Sequence, residues 1–465
     1  MIRSIAPVDE HARSAPATEP RDRSVTVTPW LVVLFAAALA LRLVGITYGL
    51  PTVFHPDEPT SINEATALLH GGQDALTFAN PPLYKYMLVA VFAVLGPMTQ
   101  LDRSSLFVIA RAVSALFGAL TILPTYAIGR MVRDRQTGLV AAVLASATLL
   151  LVRESHFGVN DALATFCSTL ALAAIVRIAC RGSRRDYVLA GAGVGLAFAA
   201  KYQCAAVLIP LLLAHASNHW RARTAARHDG TSAPGLRWRR TLRWDAHQDL
   251  LIALGVAGLT AVVAFPPLVT ESRRVVADVY VFLMLPSRLG FEGLDPSGAY
   301  LFYVKSLGWD VGWPILLLAA IASAFAVARR DWAVLVVASL PVALYVVMGS
   351  SKMYVARFML PGVPALAVLA AIAIRALALA ARARALSDAS TPWSAQLIGI
   401  AAARPSFDVA AFVTAALTAA ALVGTLPASL QFDALLTRPD TRTQAVDWLA
   451  ANLPANATVL TDPSP

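Results

Sequence analysis

PLYKYMLVAVFAVLGP, residues 82–97, is the stretch on which the threading of this chain turns. It is apolar enough to suggest a membrane crossing. Yet it follows Pro81, begins on Pro82 and carries Lys85, and it falls short of the roughly 20 residues that a spanning helix needs. Counted as a crossing, it would invert every segment after it. The basic residues decide the matter. Eleven other apolar runs read as spans: 29–50, 106–129, 137–152, 161–178, 187–200, 203–217, 250–266, 311–328, 332–349, 358–376 and 407–427. If 82–97 stays on one side, the segments on the inner face hold 24 of the 38 Lys/Arg and those on the outer face 12, with Arg42 and Arg111 inside spans. If it crosses, GRMVRDR (129–135) and the Arg-rich 221–243 segment face outward, against the positive-inside rule. The stretch therefore reads as a re-entrant or juxtamembrane helix on the outer face, with the amino end inside and the carboxyl end outside. The expected fold is an all-α polytopic membrane protein with about eleven transmembrane helices.

Composition agrees. Of 465 residues, 57% are hydrophobic and 14% charged, where soluble chains carry about a quarter charged residues. The mean hydropathy is +0.63. The runs are continuous rather than alternating, which argues against a barrel. The net charge of +10 is explained by the inner-face bias and implies no nucleic acid partner. Cys167, Cys180 and Cys204 all lie in apolar runs and suggest no disulfide framework. Residues 1–28 read as a disordered cytoplasmic tail and 29–427 as the membrane module, with its long outer loops at 51–105 and 267–310. Residues 428–465 read as an outer segment, one amphipathic helix and then a strand start at 457–460, the stub of a truncated soluble domain. Asn456 begins a glycosylation sequon that chance explains equally well. The outer face holds 16 of the 28 Asp/Glu, so function is expected there.

GLPTVFHPDEPTSINEA, residues 49–65, puts His55, Asp57 and Glu58 directly after the first span. Ser61 and Glu64 have capping-box spacing, and Ile62, Ala65, Leu68 and Leu69 give the following helix an apolar side suited to lying on the membrane. Two readings of the acids stand. They are solvated loop carboxylates, or Asp57 is a general base with Glu58 supporting it. Lys85, between Tyr84 and Tyr86, is either an interfacial anchor or a phosphate-binding cation. Arg111 lies inside a span, where a cation needs a partner or a cavity. Arg153, His156 and Asp161 share the next outer turn, with Asn160 expected to cap the helix that follows. Lys201 and Tyr202, then Lys352, Tyr354 and Arg357, lie on the same face. Cations recurring at one depth beside an acid pair suit a phosphate held at the headgroup plane. His55, Asp57, His156 and Asp161 would make a metal site only if their loops met, and no spacing supports one.

These blocks resemble, in order, the membrane-embedded GT-C glycosyltransferases that use a polyprenyl-phosphate sugar, above all the protein O-mannosyltransferase and aminoarabinose transferase group. The matching segments are HPDE (55–58), NPPLYKYM (80–87), RAVSALFGALTILPTY (111–126), RESHFGVNDALATF (153–166) and MYVARFMLPGVPAL (353–366). The resemblance covers about residues 30–380. It implies a GT-C-like bundle with outer-face juxtamembrane helices and an inverting sugar transfer at the cell inner membrane. It further implies Asp57 as base and Arg111 facing the carrier phosphate. Lys85, Lys201, Lys352 and Arg357 are expected at the phosphate, and His55, Tyr84, His156, Asp161, Tyr202 and Tyr354 near substrate. The implied partners are a polyprenyl-phosphate sugar donor, membrane lipid, and an acceptor protein or glycolipid. No cofactor is required, and the cations make a divalent metal dispensable. The rival readings are a transporter or flippase of a lipid-linked or small anionic substrate, and a non-catalytic assembly factor. A transporter would place charge or broken helices at mid-span, and the middles of 137–152, 187–200, 250–266, 311–328 and 332–349 carry no charge.

Overall fold

The structure is a computed structural model that describes residues 29–72, 76–98, 102–228, 247–290, 298–387, 408–454 and 456–458, with the backbone alone over 222–228 and 386–387. The expected tail at 1–28 and residues 459–460 of the expected strand lie outside the described residues. Among the described residues there are helices and no strands. In chain order they include α1 (Pro29–Leu43), α2 (Glu58–Leu69), α3 (Leu83–Leu95), α4 (Arg103–Leu120), α5 (Ile122–Val132), α6 (Arg135–Ala147), α7 (Leu149–Arg153), α8 (Asp161–Cys180), α9 (Arg184–Ala200) and α10 (Leu208–His228). The second half adds α11 (Gln248–Ala264), α12 (Ser272–Val279), α13 (Ala299–Leu307), α14 (Trp313–Arg329), α15 (Trp332–Gly349), α16 (Val363–Ser387), α17 (Val409–Leu422), α18 (Thr425–Leu436) and α19 (Thr441–Asn452).

Each of the eleven apolar runs is helical over most of its length, but the count of eleven crossings is not confirmed. Five helical stretches among the described residues are long and apolar enough to cross a membrane: Arg103–Val132, Asp161–Cys180, Ala299–Arg329, Trp332–Gly349 and Ala356–Ala385. A sixth is available if the pair Val409–Leu422 and Thr425–Asn452, bent by 46°, is one span. The stretch at 82–97 forms the 13-residue α3, too short to cross on its own.

Two helices form the centre. In α8 and in the Ala356–Ala385 stretch, 72% of the most apolar window is buried, against 33% for Ala299–Arg329. Around α8 pack α4, α5, α9, α10 and α15, and around α16 pack α5, α6, α14, α15 and α17. The peripheral α14 and α15 expose Leu317, Phe325, Val327, Val342, Val346 and Val347, a surface fit for lipid tails.

Between α9 and α11 the contact is made by small residues. A Cβ on Gly191 would sit 2.2 Å from the Ala253 carbonyl oxygen, and one on Gly195 would sit 2.5 Å from that of Ala257. This is a small-xxx-small seam, and it lets two backbones approach where lipid offers no hydrophobic drive to press them together.

Two local expectations fail. The helix after the acid pair begins at Glu58, so Ser61 lies inside it and the capping box does not form. Its apolar side turns inward: Ile62 and Ala65 are buried in the main core with Tyr84 and Phe107 instead of lying on a membrane. We expect Gly195→Leu to force α9 and α11 apart and to cut the monodisperse yield on size-exclusion chromatography severely, whereas Gly255→Leu, with open space around it, leaves the yield unchanged.

Candidate functional site

The acid pair is split by the start of α2. Glu58 is its first residue and is 0% exposed. Its Oε1 accepts from Arg111 Nε at 2.7 Å and its Oε2 from Arg111 Nη2 at 2.7 Å, a two-pronged fork. The Gly158 N–H adds a third bond at 2.7 Å. Arg111 Nη1 donates to the carbonyls of Ile46 (2.9 Å) and Tyr48 (2.8 Å). One buried ion pair thus fastens α2 and α4, the loop after α1 and the 154–160 turn.

Asp57, one residue earlier, occupies the N-cap position but makes no side-chain cap bond. Its Oδ2 instead meets Arg357 Nη2 at 2.6 Å. The Asp57 side chain is 48% exposed and that of Arg357 25%, so this pair stands at the open edge. His55 stacks near Phe157, with ring centroids 4.5 Å apart, and its Nδ1 accepts the Asp57 N–H at 3.3 Å. Burial pushes the His55 imidazole below its ordinary value, while the Glu58 and Asp57 charges push back.

Behind the open pair lies a second layer. Asp161, the first residue of α8, receives Lys201 Nζ at 2.6 Å, and that ammonium sits 5.6 Å from the Phe358 ring centroid. Arg153 bridges Glu154 (2.9 Å) and Asp310 (3.0 Å). Arg357 lies within electrostatic reach of Asp161, Asp57 and Glu154 together. Burial holds the Glu154 carboxyl above its usual range, Arg153 pulls it back, and Asp161 raises it further. Carboxylates and cations from five separate parts of the chain therefore meet here, and each carboxylate has a basic partner.

Several expected site residues serve the framework instead. Arg111 commits its Nε and both terminal nitrogens to the contacts above and is 2% exposed, so it presents no face to a carrier phosphate. Lys85 is likewise buried, donating to Glu64 Oε2 and, at 2.7 Å, to the Thr77 carbonyl. Glu64 also accepts from Thr77, which closes the loop between α2 and α3. Tyr84 donates to the Ala110 carbonyl at 2.9 Å, Tyr202 to that of Phe78 at 3.0 Å, and the Tyr354 ring packs 5.0 Å from that of Phe302. Asn160 stands at the N-cap position of α8 but makes no side-chain cap bond; its amide donates to the Ala200 carbonyl at 2.8 Å. His156 turns away from His55 and Asp57. Its Nδ1 lies 2.8 Å from the Val152 carbonyl and its Nε2 3.3 Å from Asp433 Oδ1, beside the buried Arg42. Lys352 is exposed, and its backbone N–H donates to the Ser287 carbonyl at 2.8 Å. Glu154 and Asp310 were missed. Glu154 sits beside two residues that were singled out, but Asp310 lies in a π-turn over 150 residues away and gives no local signal.

Residues 79–231 match the family model described as dolichyl-phosphate-mannose-protein mannosyltransferase. A comparison with curated protein sequences gave no match. The structure is similar to that of ArnT from Cupriavidus metallidurans bound to undecaprenyl phosphate, at 19% identity and a TM-score of 0.56, over 92% of this chain and 82% of that one. The oligosaccharyltransferase of Archaeoglobus fulgidus in its apo form is similar at 16% identity and a TM-score of 0.56, over 92% of this chain and 58% of the longer archaeal one. Archaeal AglB from the same organism, in complex with an inhibitory peptide and a dolichol-phosphate, is similar at 15% identity and a TM-score of 0.50, over 93% of this chain and 59% of that one.

The geometry separates two neighbouring acids by role. Glu58→Ala leaves the Arg111 charge buried without its partner and should cost about 3–5 kcal/mol, read as a large fall in Tm in detergent. Asp57→Asn, at the open pair, should leave Tm within a few degrees of the parent. A pH effect follows from His156, which burial, the largest cause, lowers from 6.5 to about 4. Between those values the unfolded chain takes up a proton that the folded chain refuses. Stability is therefore full above pH 6.5, falls by up to about 3 kcal/mol on acidification, and loses nothing more to this group below pH 4. Unfolding temperatures from pH 7 to 4 should fall less in His156→Gln than in the parent, a difference that separates this group from the neighbouring Asp433. The chain has the fold of the GT-C membrane glycosyltransferases.

Proposed function

We propose that this protein transfers a sugar from a polyprenyl-phosphate carrier to an acceptor, with inversion, on the extracytoplasmic side of the plasma membrane, and that Asp57 is the general base. The amino end is then cytoplasmic and the carboxyl end outside. The observation that carries this reading is the half-open Asp57–Arg357 pair. It offers a carboxylate and a guanidinium side by side at an edge that ligands can reach, in front of the Asp161–Lys201 pair. The family match over 79–231 and the likeness to ArnT bound to undecaprenyl phosphate and to AglB bound to a dolichol-phosphate support the donor class.

The chemistry is a single displacement. The acceptor hydroxyl or amine gives its proton to Asp57 as its oxygen or nitrogen bonds to the anomeric carbon. The bond from that carbon to the carrier phosphate breaks on the opposite face, and the electron pair leaves with the phosphate. Arg357 and the exposed Lys352 supply positive charge where negative charge develops, and Lys201, buried against Asp161, acts on it only through its field. Arg111 and Lys85, buried in their own pairs, hold the scaffold. The donor brings its own leaving group, so the reaction needs no nucleotide-binding loop. The sugar is hexosyl or pentosyl, and the acceptor is a protein or a glycolipid of the cell envelope.

The test uses purified protein, a panel of polyprenyl-phosphate sugars and a cell-envelope extract as acceptor source, with release of free polyprenyl phosphate as readout. Asp57→Asn should slow turnover by about 10²–10⁴-fold while donor binding persists. Arg357→Ala should weaken donor binding at least tenfold. Parent-like turnover by Asp57→Asn would remove the base assignment.

A further inference from the structure

Three histidines gather at the other end of the helices that carry the Asp161–Lys201 pair. His215 and His219 lie four residues apart on α10, hence on one face of that helix. His247 stands at the N-cap of α11. Lys201 follows the last residue of α9, whereas Tyr187, which touches His215, lies in its first turn. The histidines are therefore about 20 Å from Lys201 along the bundle.

Their ring centroids form a nearly regular triangle, with 4.6 Å between His215 and His219, 5.1 Å between His219 and His247, and 5.2 Å between His215 and His247. One nitrogen from each ring lies within 4.8 Å of the other two. Tetrahedral zinc, with Zn–N bonds of 2.0–2.1 Å, sets such nitrogens about 3.4 Å apart. Each nitrogen pair is therefore within about 1.4 Å of that spacing. Orientation is partly set already. The Tyr187 hydroxyl lies 2.8 Å from His215 Nδ1, the outer contact that fixes which nitrogen a ligating imidazole turns inward. His215 Nε2 then faces His247 Nδ1 at 2.9 Å. Asp249, two residues past His247, pairs with Arg184 at 3.0 Å and adds negative charge nearby.

We propose that His215, His219 and His247 form a binding site for a divalent transition metal, zinc foremost. Three imidazoles without a thiolate or a ligating carboxylate suit zinc, copper or nickel and disfavour calcium and magnesium. The ion clamps α10 to the start of α11. Two of its ligands come from one helix and the third from the next, so binding fixes the two ends of the 229–246 connection relative to each other. It draws on none of the residues of the sugar-transfer site and stands independently of that reading.

The test takes the full chain, purified with a tag that contains no histidine, stripped with a chelator and dialysed against buffered zinc. We expect one zinc per chain by elemental analysis and a zinc-dependent rise in Tm. His219→Ala and His247→Ala should each lower affinity at least tenfold and abolish the Tm rise, while the surface variant His70→Ala behaves as the parent. Both test variants spare the Tyr187–His215 contact, and each is checked for a parent-like elution profile. Binding well below one zinc per chain, or equal binding by the variants, would reduce the triangle to a hydrogen-bonded imidazole cluster and overturn the proposal.

Discussion

The forked pair between Glu58 and Arg111 is the constraint on which the part of this protein around the candidate site depends. Two charges placed out of water are costly unless each polar atom is matched, and here they are matched closely. Glu58 takes two bonds from Arg111 and one from Gly158, and the remaining Arg111 donors reach the Ile46 and Tyr48 carbonyls. That single knot joins four chain segments. It also fixes the rotation of α2 about its axis. Successive helical residues point about 100° apart. Anchoring Glu58 inward therefore leaves Asp57, at the entrance to the helix, to face the open edge and Arg357.

The same logic organises the layers behind. Lys85 is sealed by Glu64 and Thr77 and Lys201 by Asp161, while the part-exposed Arg153 is held by Glu154 and Asp310. The Lys85–Glu64, Lys201–Asp161 and Arg153–Asp310 pairs each join separate elements, so the charges work as rivets between helices whose apolar faces contribute little specificity inside lipid. Only toward the solvent edge do the pairs become accessible. The gradient from fully enclosed Glu58 to half-open Asp57 sorts scaffold from candidate chemistry.

Much of this was legible in the sequence. The apolar runs gave the helices, the length of 82–97 gave a helix too short to cross, and HPDE marked two acids whose partners only the fold shows. What was not legible is partnership. Arg111 inside a span announces that something must neutralise it, but its own segment cannot show that the partner is Glu58, 53 residues earlier, rather than a bound phosphate. Lys85 was ambiguous for the same reason. Asn160 reads as a cap by local pattern, and it does hold the N-cap position, yet its side chain makes no cap bond and its Nδ2 donates to the Ala200 carbonyl at the end of α9. The inward face of α2 was misassigned because Ile62 and Ala65 look the same to a membrane surface and to a neighbouring helix. The α9–α11 seam was written in its glycines, but their meaning depends on which helix lies opposite.

Under the proposed reaction, the contact between Asp57 and Arg357 has a further consequence. While the two are joined, the guanidinium is engaged with the very carboxylate that would deprotonate an acceptor. An arriving phosphate competes for that guanidinium, and success releases the carboxylate from its closest counterion. Donor arrival and base activation thus become one event, because the phosphate that takes the guanidinium frees the carboxylate.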